Sequence, residues 1–158
     1  MSAATHKVPR IDLFGHGIVG REVLRVLRDM DVEVVAVFAH SSSAGDWQPS
    51  LSGDAEVQGL PCFVDALLGD SRTIAEVAAL KLDLIVSAYC RELIPQELLD
   101  SARLGGINLH GSPLPKYRGR APVNWMVLHG ATEGGASLHV MTRRADRGDL
   151  LGVTRVPI

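Results

Sequence analysis

Apolar and polar positions follow two kinds of pattern along the chain, one typical of strands and one typical of helices, and the two kinds alternate. Nearly continuous apolar runs predict buried strands, and apolar positions three and four apart predict helices. The predicted strands are 11–14, 32–38, 82–88, 107–110, 136–140 and 150–156, and the predicted helices are 21–29, 72–81, 95–103 and 123–128. Residues 40–60 are rich in serine, glycine and proline and are predicted to be irregular.

This order of elements predicts an α/β fold, with a Rossmann-like and mostly parallel sheet flanked by helices. The length of 158 residues fits one domain, 1–158. Ligands of such sheets bind beyond the carboxyl ends of the strands. The ends expected to matter lie near Gly15, Tyr89 and His110.

The first of these ends carries a glycine motif, because residues 15–20 read G-H-G-I-V-G between a predicted strand and a predicted helix. Three interpretations are open: a tight turn with close packing, a site for an anionic substrate group, or a dinucleotide site. The next strand ends without an acid for a ribose hydroxyl, which disfavours NAD more than NADP. Gly15, His16 and Gly17 are therefore candidates for substrate binding.

The third strand end carries the most informative chemistry. Asn108 and His110 are two residues apart on a strand, so their side chains point to the same face. An amide can stabilise a developing oxyanion, and an imidazole can move a proton near neutral pH. Asp146 or Asp149 could orient the pair, and spacing does not choose between them. His139 is interpreted as a structural residue of its strand.

Residues 108–125 read N-L-H-G-S-P-L-P-K-Y-R-G-R-A-P-V-N-W. This pattern resembles the formyltransferase family that uses 10-formyltetrahydrofolate as the formyl donor. Within that family it is most similar to domains that act on amino sugars of sugar nucleotides, in particular the domain that formylates UDP-4-amino-4-deoxy-L-arabinose. The resemblance is strong from Gly106 to Ile158 and weaker over the rest of the chain.

The resemblance implies roles for individual residues. Asn108, His110 and Asp146 correspond to the family's catalytic residues, which leaves Asp149 as a turn residue. The Leu114–Pro115 bond is expected to be cis, as is common in the family. The folate is expected beside a strand end, where backbone groups hold the pterin. The residues of that strand end are Ser87, Ala88, Tyr89, Cys90, Arg91, Glu92, Leu93 and Ile94.

A basic loop next to the catalytic segment is the candidate for acceptor binding. Lys116, Arg118 and Arg120 could contact the phosphates of a nucleotide, although a solvated charged loop is the alternative. Ser112 of the same segment is grouped with them. The expected function is transfer of a formyl group to a primary amine of a small acceptor, with an amino sugar of a sugar nucleotide as the leading candidate. Glycinamide ribonucleotide fits the loop less well.

Composition and charge limit the other classes of function. The net charge of −2 disfavours a nucleic-acid partner, including the acceptor of a methionyl-tRNA formyltransferase, and no apolar run is long enough for a membrane span. Cys62 and Cys90 match no metal-binding spacing, so no metal is expected, and free thiols predict a cytoplasmic protein.

The end of the chain is the largest departure from the family, whose domains normally continue with another helix. A C-terminally short domain is therefore expected to leave a sheet face bare, which favours an oligomer, a partner chain or weak folding. The shortening also keeps open a folate- or nucleotide-binding module with reduced or no catalysis. An NADP-binding Rossmann domain is a further alternative.

Overall fold

The computed structural model describes residues 7–41 and 50–158, which form seven strands and five helices. The strands are β1 Arg10–Gly15, β2 Glu33–Ala39, β3 Cys62–Val64, β4 Leu84–Ala88, β5 Gly106–His110, β6 Glu133–Val140 and β7 Leu150–Pro157. The helices are α1 Gly17–Asp29, α2 Leu51–Val57, α3 Ser71–Ala79, α4 Gln96–Ser101 and α5 Pro122–Leu128. None of the helices in this described part is long and apolar enough to cross a membrane.

All seven strands join one sheet in the order β3-β2-β1-β4-β5-β6-β7. The five strands from β3 to β5 are parallel, whereas β6 is antiparallel to β5 and β7 is antiparallel to β6. The chain builds the sheet outward from β1 to β3 and then returns to place β4 on the other side of β1. Such a reversal opens a crevice at the carboxyl ends of β1 and β4, where ligands of α/β sheets bind.

Each face of the parallel strands is covered by its own apolar core, because alternate residues of a strand point to opposite faces. Leu13 and Val37 face α1 and α2, where they pack with Leu24 and Leu51. Residues of the opposite face pack against α3 and α4; they include Phe14, Phe38, Val77, Ile85 and Leu98. Here the rings of Phe14, Phe38 and Phe63 stack across β1, β2 and β3, with centroids of successive rings 4.4 Å apart.

The predicted fold class is confirmed: a mixed, mostly parallel sheet is flanked by helices. The prediction of irregular structure is wrong for α2, because Ser50 caps that helix by accepting the Gly53 N–H and the helix buries Leu51 and Ala55. The short β3 lies just after this stretch and was not predicted. Residues 42–49 of the same stretch lie outside the described residues.

Candidate active site

Three polar side chains share one face of the sheet where its strands change direction. Asn108 and His110 lie on β5, and the antiparallel register pairs Asn108 with His139 and His110 with Ser137 on β6. Because paired residues of neighbouring strands point to the same face, His139 joins the two residues that the sequence predicted. His110 and His139 are buried, with 7% and 2% of their surface exposed.

Asp146 approaches this cluster from the loop between β6 and β7. The loop is fixed by a hydrogen bond from the Gly119 N–H to Asp146 Oδ2 (2.7 Å) and by one from Arg118 Nε to the Asp146 carbonyl (2.8 Å). It also runs against β6, since a Cβ atom at Gly148 would lie 1.8 Å from the carbonyl oxygen of Val140. The backbone therefore holds the carboxylate in place.

The imidazole of His110 has a defined tautomer. Its Nε2 lies 2.8 Å from the carbonyl oxygen of Tyr117, which can only accept a hydrogen bond. Nε2 therefore carries the proton, and Nδ1 is the atom that gains or loses one. Nδ1 faces Asp146 Oδ1 at 3.6 Å.

His139 lies between the amide and the carboxylate. Its Nδ1 donates to the carbonyl of Val140 (2.8 Å). Its Nε2 lies 3.2 Å from Asn108 Nδ2 and 3.3 Å from Asp146 Oδ1. The sequence interpreted His139 as a structural residue of its strand, and these contacts place it within the polar cluster. The sequence alone did not show that β6 runs antiparallel to β5 in the register that places His139 beside Asn108.

The charges of this cluster stabilise each other. Burial raises the pKa of Asp146, but hydrogen bonds from His139 and Gly119 and the electrostatic attraction of the nearby histidine rings together outweigh burial, so the pKa lies below its usual value. The hydrogen bond to Asp146 is the main reason why the pKa of His139 lies above its usual value, and burial opposes it. An ionised Asp146 beside a protonated His139 is thus favoured over the neutral pair.

A cavity of about 580 Å³ opens beside the cluster, a size suited to a small-molecule ligand. Asn108, His110, His139 and Asp146 all line it. Ser87 and all six residues of 89–94, the segment predicted to bind folate, line the same cavity. Ala88 belongs to the same strand end, where its carbonyl accepts the His16 N–H (3.2 Å).

The predicted acceptor-binding loop contributes unevenly to the cavity. Arg120 lines it, together with Arg91 and Arg144. Lys116 is exposed and Arg118 binds the Asp146 backbone, and neither is among the lining residues. Ser112 is buried and donates to the carbonyl of Lys116 (2.7 Å), so its hydroxyl shapes the loop. The predicted cis bond between Leu114 and Pro115, in this loop, is confirmed.

The glycine turn after β1 lies next to the cavity but does not line it. Gly15 and Gly17 are buried, and a Cβ atom at Gly15 would lie 3.0 Å from Leu51 Cδ2 and 3.2 Å from the carbonyl of Ala88. His16 reaches the rim, where its Nε2 accepts from Arg91 Nη2 (2.6 Å). The two glycines are thus closely packed, whereas His16 makes a polar contact with a residue of the cavity.

Within residues 7–41 and 50–158, no group of three or more His, Cys, Asp or Glu side chains is placed to hold a metal ion. The polar cluster consists of two imidazoles, an amide and a carboxylate, and three arginines line the same cavity. Such a set can bind an anionic ligand, stabilise charge that develops on an oxygen and move protons.

Comparisons with known proteins show the family and the fold of the chain. The profile of the formyl transferase family matches residues 11–158. The fold is similar to glycinamide ribonucleotide transformylase 1 from Geobacillus kaustophilus, with a TM-score of 0.80 and 21% identity over 96% of this chain and 84% of that one. It is also similar to phosphoribosylglycinamide formyltransferase from Brucella melitensis, with a TM-score of 0.74 and 24% identity over 96% of this chain and 81% of that one. A formyltetrahydrofolate deformylase from Pseudomonas syringae pv. tomato also has a similar fold, with a TM-score of 0.78 and 21% identity over 97% of this chain and 52% of that one.

Proposed function

The chain belongs to the formyl transferase family, whose enzymes transfer one-carbon groups from 10-formyltetrahydrofolate, and we propose that it formylates the primary amine of a small phosphorylated acceptor. One observation carries the proposal: Asn108, His110 and Asp146 meet in one cavity that the segment 89–94 also lines. A group held by that segment would present its reacting carbon to the three polar side chains.

His110 and Asp146 supply the proton transfer. As the acceptor amine attacks the formyl carbon, it must lose a proton, and His110 Nδ1 is the unprotonated nitrogen that faces the cluster. The carboxylate of Asp146, 3.6 Å away, stabilises the imidazolium that results. His110 then returns the proton to the nitrogen of the leaving folate. The backbone contact of Nε2 with Tyr117 keeps the ring in the same orientation throughout.

Asn108 stabilises the negative charge that develops on the formyl oxygen, and His139 orients its amide. A neutral His139 accepts at Nε2 from the Asn108 amide. A protonated His139 donates from Nε2, so the amide turns its oxygen to the imidazole and leaves its N–H₂ group for the formyl oxygen. The raised pKa of His139 beside Asp146 favours the second arrangement.

The kinds of residue in the segment 87–94 support its proposed role in binding the donor. Its residues line a wall of the cavity with apolar side chains at Leu93 and Ile94 and with backbone groups of an irregular turn. An aromatic and partly polar ring system is bound well by such a surface. Arg91 on this wall could bind a carboxylate of the donor.

The acceptor is proposed to be anionic, because Arg120 and Arg144 line the same cavity as the catalytic cluster. The pattern of residues 108–125 favours an amino sugar carried by a nucleotide, such as UDP-4-amino-4-deoxy-L-arabinose. A contact of its phosphates with the glycine turn at Gly15, His16 and Gly17 stays a prediction. The free thiols of Cys62 and Cys90 support a cytoplasmic setting.

A second acceptor is favoured by the comparisons. Two of the structures with this fold are enzymes named for glycinamide ribonucleotide, which also joins a primary amine to a phosphate. Water is the third possibility to test, since another structure with this fold is a formyltetrahydrofolate deformylase.

The experiment incubates the protein with 10-formyltetrahydrofolate and one of the two amines, or with no amine. Mass spectrometry follows the acceptor, and absorbance follows the release of tetrahydrofolate. Formylation of one amine, dependent on Asn108, is the expected result. Donor consumption with release of formate alone would assign a deformylase instead. Folate binding without turnover in any arm would favour the non-catalytic module.

A further inference from the structure

A second polar cluster lies beside the donor wall, at the carboxyl ends of β1 to β4. His40 follows β2 directly, and its Nε2 lies 3.0 Å from the backbone nitrogen of Arg91. Its ring makes an edge contact with His16, with centroids 5.9 Å apart. On its other side, His40 Nδ1 faces Asp65 Oδ1 at 3.8 Å. None of these contacts belongs to the cluster around Asn108.

The contact with Arg91 determines the tautomer of His40. A backbone N–H can only donate, so His40 Nε2 must be unprotonated and must accept. The Sγ atom of Cys90 lies 3.8 Å from the same nitrogen. Burial raises the pKa of the Cys90 thiol, so the thiol keeps its proton and can only add a second donor. The proton of a neutral His40 is therefore on Nδ1, towards Asp65.

The segment that receives this hydrogen bond needs support. Tyr89 has a φ of +61°, in the left-handed region that costs a non-glycine residue free energy. Cys90 and Ile94 pack against the core, but Tyr89 and the three residues Arg91 to Leu93 are exposed, so packing holds only part of the turn. Two side-chain contacts reach Arg91 from other strand ends: His40 at its backbone and His16 at its guanidinium.

We propose that His40 is a positioning residue for the formyl donor: by accepting the Arg91 N–H it holds the segment 89–94 in the conformation that lines the cavity, and it does so only when neutral. The inference rests on the proposed function, because it takes this segment to be the folate wall. His40 acts through Arg91 and does not touch the reacting atoms.

Protonation exchanges one partner of His40 for another. A proton on Nε2 would face the Arg91 N–H, so two donors would oppose each other and the contact would be lost. The charged ring would be attracted to Asp65, whose pKa is lowered mainly by hydrogen bonds from Ser41 and which therefore stays ionised. The other groups that face the ring are Cys90, His16 and the Arg91 guanidinium. Acid should therefore release the donor wall while the cluster around Asn108 stays in place.

The test measures binding of 5-formyltetrahydrofolate by calorimetry between pH 5.5 and pH 7.5. His40→Gln keeps an acceptor near the position of Nε2 and cannot take up a proton. His40→Ala removes the acceptor. His129→Gln removes an exposed histidine at the end of α5 and serves as the matched control.

At pH 7.5, His40→Ala should bind about threefold to tenfold more weakly than the wild type, which is the effect of one hydrogen bond. His40→Gln should bind within about twofold of the wild type, because it keeps a hydrogen-bond acceptor and loses at most the lower end of the free energy of one hydrogen bond. Wild-type affinity should fall towards pH 5.5, the affinity of His40→Gln should not, and His129→Gln should follow the wild type. Equal affinities of His40→Ala and wild type, or the full acid loss in His40→Gln, would overturn the proposal.

Amide hydrogen exchange of the ligand-free protein separates this inference from the proposed function. The peptide that contains Arg91 should exchange faster in His40→Ala than in wild type at the same pH, and His40→Gln should restore protection. If the wild type binds no folate, the proposed function fails, and the exchange data still decide whether His40 holds the segment. Unchanged exchange in His40→Ala would reject the positioning role by itself.

Discussion

The parallel half of the sheet around β1 and the mixed half around β5 and β6 each hold a shielded aspartate, and the two carboxyl groups behave in opposite ways. Asp12 on β1 is fully buried, and no atom of the described residues is in hydrogen-bonding geometry with its side-chain oxygens. Burial raises its pKa to about 7, and the approach of the Leu13 N–H offsets this only in part. Asp146 has two histidines and a backbone N–H as partners, and its pKa is lowered.

The difference shows that hydrogen-bonding and charged partners, more than burial, decide whether a shielded carboxyl group is ionised and can take part in catalysis. The mixed half brings side chains of β5, β6 and the β6–β7 loop to one point, so its carboxylate is paired. The parallel half also carries the more familiar motif, the glycine turn, but Gly15 and Gly20 of that turn are closely packed against Leu51. The following predictions test this contrast.

Asp146→Asn should give the largest effect. Without the carboxylate, His110 loses the partner of its imidazolium and His139 loses its charge, so kcat should fall by about 10²- to 10⁴-fold. Steady-state kinetics of donor consumption measure it. Asp149→Asn is the matched control in the same loop, and its kcat should stay near that of the wild type. A larger loss in Asp149→Asn would show that the wrong acid was assigned.

Asn108→Ala should lower kcat by about 10²- to 10³-fold, the effect of removing one donor to a developing oxyanion. The melting temperature should change little, because the amide is only partly buried. Asn124→Ala, at an exposed position of α5, should leave kcat unchanged. Unchanged turnover in Asn108→Ala would reject the role of the amide.

Asp12 should make stability depend on pH in the direction opposite to most acids. Its pKa is about 7 in the folded chain and 3.8 when exposed, so between these values the folded state binds more protons. The free energy of unfolding should therefore fall as pH rises from about 4 to about 7, by at most about 4 kcal/mol.

Urea unfolding of Asp12→Asn and wild type at several pH values isolates this contribution. The variant should gain stability relative to the wild type as pH rises through this window. Asp31→Asn, at an exposed position, should keep the wild-type slope. A constant difference between Asp12→Asn and wild type would mean that Asp12 is already charged in the folded protein.

Gly20→Ala should give the smallest effect and addresses the glycine turn. A Cβ atom there would lie 2.9 Å from Leu51 Cδ2 and 3.3 Å from the Gly15 backbone. Overpacking costs about 1–3 kcal/mol, and the better helix propensity of alanine offsets up to about 1 kcal/mol. The variant should melt earlier and keep the Michaelis constants of the wild type. A specific rise in the acceptor's Michaelis constant at unchanged stability would favour anion binding by the turn.

Most of the sheet could be predicted from the sequence, because β1, β2 and β4 are buried apolar runs that need no tertiary information. Two elements were missed for local reasons. The helix α2 depends on the Ser50 cap and on only two buried residues, and β3 has three residues, too few for a periodic pattern.

The candidate site, too, could be predicted from the sequence only in part. Asn108 and His110 could be paired because they are two residues apart on one strand, and the resemblance placed Asp146 beside them. His139 could not, since its contact with Asn108 spans 31 residues and depends on the antiparallel register of β5 and β6. The contact of His40 with Arg91 spans 51 residues and requires β2 and β4, which lie on either side of β1, to end at the same edge of the sheet.

The tight approach of Gly148 to Val140 limits how the enzyme could be redesigned. Any side chain at this position would push the loop off β6 and carry the acid away from both imidazoles. Directed evolution towards new amines should therefore recover few substitutions or insertions near residue 148. It should instead select changes around Arg120 and Arg144, which are exposed and can vary without moving the reaction centre.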